Sequence, residues 1–88
     1  MRFMAIWTYE PEQRDPIMQK RMETGRLAPE GVKFTSEWYD VTGGRSIALF
    51  ESDNEMAMVQ CLQNWTNMCK FDVFPVIEVL DDKGTKFA

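Results

Sequence analysis

The chain of 88 residues, 44% apolar and 27% charged, has the proportions of a folded globular domain rather than a disordered or fibrous one. It has room for a single hydrophobic core, burying roughly 60–65% of its unfolded surface. Ten basic against fourteen acidic residues give a net charge of −4 without a basic run, which argues against a nucleic-acid partner, and the longest apolar stretch, Phe3 to Trp7, is far too short for a membrane span.

The first predicted strand runs from about Arg2 to Tyr9, apolar at odd and even positions alike, so that both of its faces should be buried. Pro11 and Pro16 then allow a helix to start, with Asp15 as N-cap, Pro16 in the first turn and Gly25 at its end. This helix places Ile17, Met18 and Met22 on one side and Lys20 and Arg21 on the other. After Pro29-Glu30-Gly31 a second strand alternates, with Lys33, Thr35 and Glu37 on one face and Val32, Phe34 and Trp38 on the other. Gly43-Gly44 supplies a hairpin turn into a third strand, Ser46 to Phe50, again apolar on both faces. Ser52 and Glu55 have the spacing of a capping box, Asp53 being a rival N-cap, for a second helix from near Asn54 to about Met68. Met58, Leu62, Trp65 and Cys69 form its apolar stripe. A fourth strand, about Phe71 to Leu80, contains Pro75 and so belongs at a sheet edge or a bulge.

The order βαββαβ, with the most apolar strands first and third, predicts an α+β fold: a ferredoxin-like sandwich whose four-stranded antiparallel sheet has spatial order 4-1-3-2 and carries both helices on one face. Residues 1–80 would form one domain and 81–88 a loose tail. The apolar residues on the far face of strands one and three call for a cover, and a second copy of the chain packed sheet to sheet is the simplest one.

Two cysteines, Cys61 and Cys69, lie too far apart along the second predicted helix for a disulfide and read as packed, reduced thiols. The amino terminus lacks the pattern of a secretory signal, so the expected location is cytoplasmic. Histidine is absent, which removes the commonest general base near neutral pH and the commonest metal ligand; neither a metal nor a cofactor is expected.

The segment Gly25-Arg26-Leu27-x-Pro29-Glu30-Gly31-Val32, with Trp38, Arg45, Glu51, Trp65 and Phe71-x-Val73-x-Pro75-Val76, resembles a bacterial family known as domain of unknown function 3303. The resemblance extends over nearly the whole chain and implies the dimeric α/β barrel superfamily, hence the same fold. It implies no activity, since members of that superfamily include cofactor-free monooxygenases, haem- or chlorite-binding proteins and bare ligand-binding or stress-related domains. The chain departs from the family pattern at Thr66-Asn67, where a small polar residue and an aspartate are expected. A haem site would need an axial histidine, and there is none.

Arg26, Trp38, Tyr39, Arg45 and Glu51 are the candidate ligand-binding residues: an arginine near a sheet cavity can hold a carboxylate or phosphate bidentately, and aromatic rings suit a flat organic molecule. The plainer account has Arg26 and Glu30 capping a turn, Arg45 pairing with Glu51 across strands, and the tryptophans serving as core. Trp38 and Tyr39 are neighbours on one strand, so only one of them faces any given pocket. Three functions compete: a homodimeric domain binding a small organic molecule, a cofactor-free monooxygenase-like enzyme, and a structural or protein-interaction module using the exposed edge of the second strand. A pocket containing a partly buried arginine would favour the first two, and a solid interior the third.

Overall fold

The computed structural model describes residues 1–79; the predicted tail at 81–88, and the end of the fourth predicted strand at Leu80, lie outside the described residues. The elements are β1 (Arg2–Thr8), α1 (Pro11–Thr24), β2 (Val32–Tyr39), β3 (Arg45–Ser52), α2 (Glu55–Gln63) and β4 (Lys70–Val76). All neighbouring strands are antiparallel, in the order β2-β3-β1-β4, so the ferredoxin-like arrangement predicted from strand polarity is the one observed. Pro75 sits on the edge strand β4, where its missing N–H costs no ladder bond on the solvent side.

Both helices cover one face of the sheet. Against them lie Phe3, Ala5 and Trp7 of β1 and Ser46, Ala48 and Phe50 of β3, paired Phe3 to Phe50, Ala5 to Ala48 and Trp7 to Ser46. Ala5, Ala48 and Phe50 are buried, and Phe50 stacks between Phe3 and Phe34 with ring centroids 5.4 and 5.5 Å away. The alanines at the centre let helix side chains approach the sheet closely, and burying a phenylalanine there contributes about 1.5–3 kcal/mol.

Ser46 is fully buried on this face, and its Oγ has no hydrogen-bond partner among the described residues. A buried hydroxyl without a partner forfeits its bonds to water. Ser46→Ala should therefore raise stability by about 1 kcal/mol, about 4–8 °C in Tm for a domain of this size. A lower Tm in thermal unfolding would show that the hydroxyl has a partner.

Helix α1 begins earlier than the sequence suggested, at Pro11 with Glu10 as N-cap, and Pro16 lies inside it rather than at its start. Pro16 forgoes the bond to the carbonyl of Glu12, but both residues lie on the exposed side, where water can take that carbonyl. Ile17 is the buried residue of α1, while Met22, expected on the inner side, is 85% exposed.

Helix α2 is shorter than expected. Asn54 is its N-cap, accepting from the N–H of Ala57, and Ser52 instead brackets Asn54, its Oγ accepting from Asn54 N–H and donating to Asn54 O. At the other end the Asn64 side chain donates to the carbonyls of Gln60 and Cys61, closing the helix before a turn that leads to β4. Ala57 and Cys61 are buried on its inner side with Met58 and Leu62 half-buried beside them, and the turn that follows adds the buried Trp65 and the half-buried Cys69.

Strand β2 contains a bulge between Phe34 and Ser36. Thr35 is the extra residue, its hydroxyl donating to the Leu49 carbonyl at 3.1 Å. An inserted residue exchanges the faces of everything after it. Val32 and Phe34 face the helices, but beyond Thr35 it is Glu37 and Tyr39 that do so, while Ser36 and Trp38 turn to the open face. The expected grouping of Trp38 with Val32 and Phe34 is thereby corrected.

The open face carries an apolar square of Met4 and Ile6 on β1 paired with Leu49 and Ile47 on β3, flanked by Trp38 and Phe74. The four residues of the square are half-buried, and Trp38 and Phe74 are exposed. On one side the square is bounded by Arg2 and Glu51, which pair at 3.7 Å.

Candidate functional site

The bulge at Thr35 creates the site. It turns Glu37, which simple alternation assigns to the face of Lys33, inward beneath the helices, where its side chain is 9% exposed. Arg21, one turn after Ile17 on the inner side of α1, meets it: one guanidinium nitrogen, Nη1, donates to Oε1 at 2.6 Å and stands 2.5 Å from Oε2. Arg26, on the loop after α1, approaches the same carboxylate less closely, with Nε 3.7 Å from Oε1.

That loop is held in place by two features. Gly25 and Leu27 both have positive φ, 69° and 58°. A left-handed leucine costs about 1 kcal/mol, so surrounding contacts must fix it. One such contact is the Trp65 indole N–H, which donates to the Arg26 carbonyl at 3.1 Å and ties the loop to the turn after α2. The Arg26 guanidinium lies over Phe34, 5.0 Å from the ring centroid.

Between the helices and the sheet these groups border a cavity of about 40 Å³, room for a few water molecules. Its apolar wall is made by Trp7, Phe34, Trp65 and Phe71, with Arg21, Arg26 and Glu37 supplying the charge. Trp7 and Phe71, cross-strand partners on β1 and β4, have ring centroids 5.9 Å apart. Lys20 stands beside the site, its ammonium 4.8 Å from the Trp65 ring centroid and donating to the Asn64 carbonyl. In a chain of net charge −4, two guanidinium groups and one carboxylate border this cavity.

Cys61 and Cys69 also line the cavity and are free thiols. Burial pushes both thiols up, Cys69 to about 11 despite the nearby Lys20 charge, so neither is a thiolate nucleophile near neutral pH. Among the described residues, no group of three or more cysteine and carboxylate side chains is arranged to hold a metal ion, and no helix is long and apolar enough to cross a membrane.

Of the five candidate ligand-binding residues, Arg26 alone borders this cavity. Tyr39 faces the helices but lies at the rim of α1, half exposed, its hydroxyl 3.7 Å from the Met18 sulfur. Trp38 and Glu51 are on the opposite face of the sheet, Glu51 paired with Arg2. Arg45 does not reach Glu51 across the strands as expected; its Nε donates to Asp40 at 2.9 Å, because the turn through Gly43 and Gly44, with φ of 90° and 87°, folds Asp40 back onto it. Glu37 and Arg21 carry no motif, and only the bulge, which has neither glycine nor proline to announce it, brings them together.

Asp40 accepts from the Thr42 hydroxyl at 2.6 Å, the Thr42 N–H at 2.9 Å and Arg45, and these bonds hold its carboxyl down at about 2 from the usual 3.8. A carboxyl depressed on folding stabilises the protein above its unfolded value, and that contribution is lost as pH falls through the folded value. Asp40→Asn should flatten the fall in Tm between about pH 4 and pH 2. Parallel acid profiles of variant and parent would contradict this.

The sequence of residues 1–83 matches a family described as a domain of unknown function, DUF3303. A solved structure from Deinococcus radiodurans, assigned by its description to the antibiotic biosynthesis monooxygenases, has the same fold, with a TM-score of 0.50 and 13% identity over 92% of this chain and 97% of that one. No curated protein matches the chain.

Proposed function

We propose that this chain, which belongs to the DUF3303 family, is a homodimeric domain that binds a small organic molecule in the cavity between its sheet and its helices. The observation that carries this reading is the ion-paired Glu37 in a cavity wall that is mostly apolar and includes four aromatic rings. For stability alone, apolar residues of similar size would serve as well as a buried ion pair. A fixed charge cluster beside four aromatic rings suits recognition of an organic ligand.

The chemistry favours binding over turnover. Both oxygens of Glu37 lie against Arg21, which leaves that carboxylate poorly placed to accept a substrate proton, and the neighbouring thiols are neutral. The unliganded cavity is small, so a ring enters by displacing the Arg26 side chain, which is 41% exposed, from the face of Phe34. The open face of the sheet, with its apolar square, supports pairing with a second copy, and two free thiols suit a reducing, cytoplasmic compartment.

The test uses Trp38→Phe, which removes the tryptophan on the far face and leaves Trp7 and Trp65 to report on the cavity. Titration with a panel of single-ring acids, amides and phenols should give saturable fluorescence quenching with at least one of them. A flat response to the whole panel would remove the ligand-binding reading.

A further inference from the structure

Charge does not balance in the cavity. Glu37 has two oxygens, and Arg21 takes both through one nitrogen, at 2.6 and 2.5 Å. The Lys20 ammonium is held by the Asn64 carbonyl over Trp65. Arg26 is different: its Nε is 3.7 Å from Glu37, beyond hydrogen-bond distance, and its side-chain N–H groups make no hydrogen bond among the described residues. Its backbone, by contrast, is fixed by the Trp65 indole bond to its carbonyl.

A guanidinium with unused donors, on an anchored backbone and stacked over a ring that faces the cavity, is placed to take an anion in the planar, two-point manner that suits a carboxylate. At the cavity two guanidinium groups, Arg21 and Arg26, face the single carboxylate of Glu37, in a protein negative overall, so a neutral ligand would leave one positive charge unmet. The remaining walls, the rings of Trp7, Phe34, Trp65 and Phe71 with aliphatic side chains and two neutral thiols between them, offer apolar surface and no further charge. We infer that the ligand is a monocarboxylate with a single-ring apolar body, and that Arg26 recognises its carboxylate while the aromatic wall takes the ring. This rests on the ligand-binding reading above and names the chemistry of the same site.

The experiment compares benzoate with benzamide, the same ring without the charge, in calorimetric titrations of the parent chain, Arg26→Gln and Arg26→Lys. Benzoate should bind the parent at least 10-fold more tightly than benzamide. Arg26→Gln should abolish the preference, bringing the two compounds to similar affinity, and Arg26→Lys should restore part of it. Equal binding of both compounds to the parent would overturn the carboxylate assignment while leaving the cavity a ligand site. A benzoate preference that survives in a folded Arg26→Gln would overturn the role of Arg26. Binding of neither compound at millimolar concentration would overturn this inference, and the ligand-binding reading would fall with it when the wider panel is flat as well. Should Arg26→Gln not fold, the preference of the parent and its weakening by salt still decide the charge question.

Discussion

Glu37→Gln lowers the stability of this domain by about 2 kcal/mol, because it removes the one carboxylate that Arg21 and Arg26 share. Breaking a fully buried ion pair by removing one partner costs about 3–5 kcal/mol. The Arg21 and Arg26 side chains are 23% and 41% exposed, so water takes part of the charge and the lower figure applies. For a domain of this size that is a fall of about 8–16 °C in Tm, measured at one protein concentration because the Tm of the proposed dimer would depend on it. The double variant Glu37→Leu with Arg21→Met should recover most of the loss, as both charges of the closest pair are gone. A Tm shift under about 2 °C in Glu37→Gln would show that solvent screens the cluster completely.

The element order was legible because strand and helix periods, prolines and glycines all agree, and Pro75 together with the polar residues of β2 marked the two edges. What was not legible is what builds the site. The bulge at Thr35 has no residue that demands it; it follows from the register β2 adopts against β3, a tertiary fact. Without it, Glu37 reads as a solvent residue beside Lys33 and Thr35, and Trp38 reads as a core residue beside Phe34. The start of α1 was available in the sequence, since Pro11 is an ordinary first-turn proline, but Asp15-Pro16 offered a competing start that the helix overrides. Arg26 was visible as a candidate, though its partners were not. The five-residue separation of Asp40 and Arg45 across a Gly43-Gly44 turn could have suggested their pairing, had the turn been weighed as a local contact.

Leu49→Lys should disrupt the proposed sheet-to-sheet dimer. Leu49 lies in the apolar square of the open face, opposite Met4 on β1 and Ser36 on β2, and is half-buried in the single subunit. In a two-fold pair of sheets every substitution enters the interface twice, so two ammonium groups would be placed in an apolar contact without partners. The expected weakening is at least 1,000-fold in the dimer dissociation constant, about 4 kcal/mol. The isolated subunit should keep its fold, since a lysine at a half-exposed strand position can lay its stem along Met4 and direct its charge to water. Sedimentation velocity over a range of concentrations reads the change directly, with circular dichroism as the check on folding. A variant that sediments as the parent does would place the dimer contact elsewhere, or deny it.

Native mass spectrometry of the protein purified from its own host tests the account most directly, since one spectrum reports both the oligomeric state and any small molecule retained in the cavity. The expected species has twice the 10.3 kDa chain mass and carries a reproducible small adduct that Arg26→Gln diminishes. A bare monomer at 10.3 kDa across the accessible concentration range would contradict both the paired sheets and the ligand-binding site.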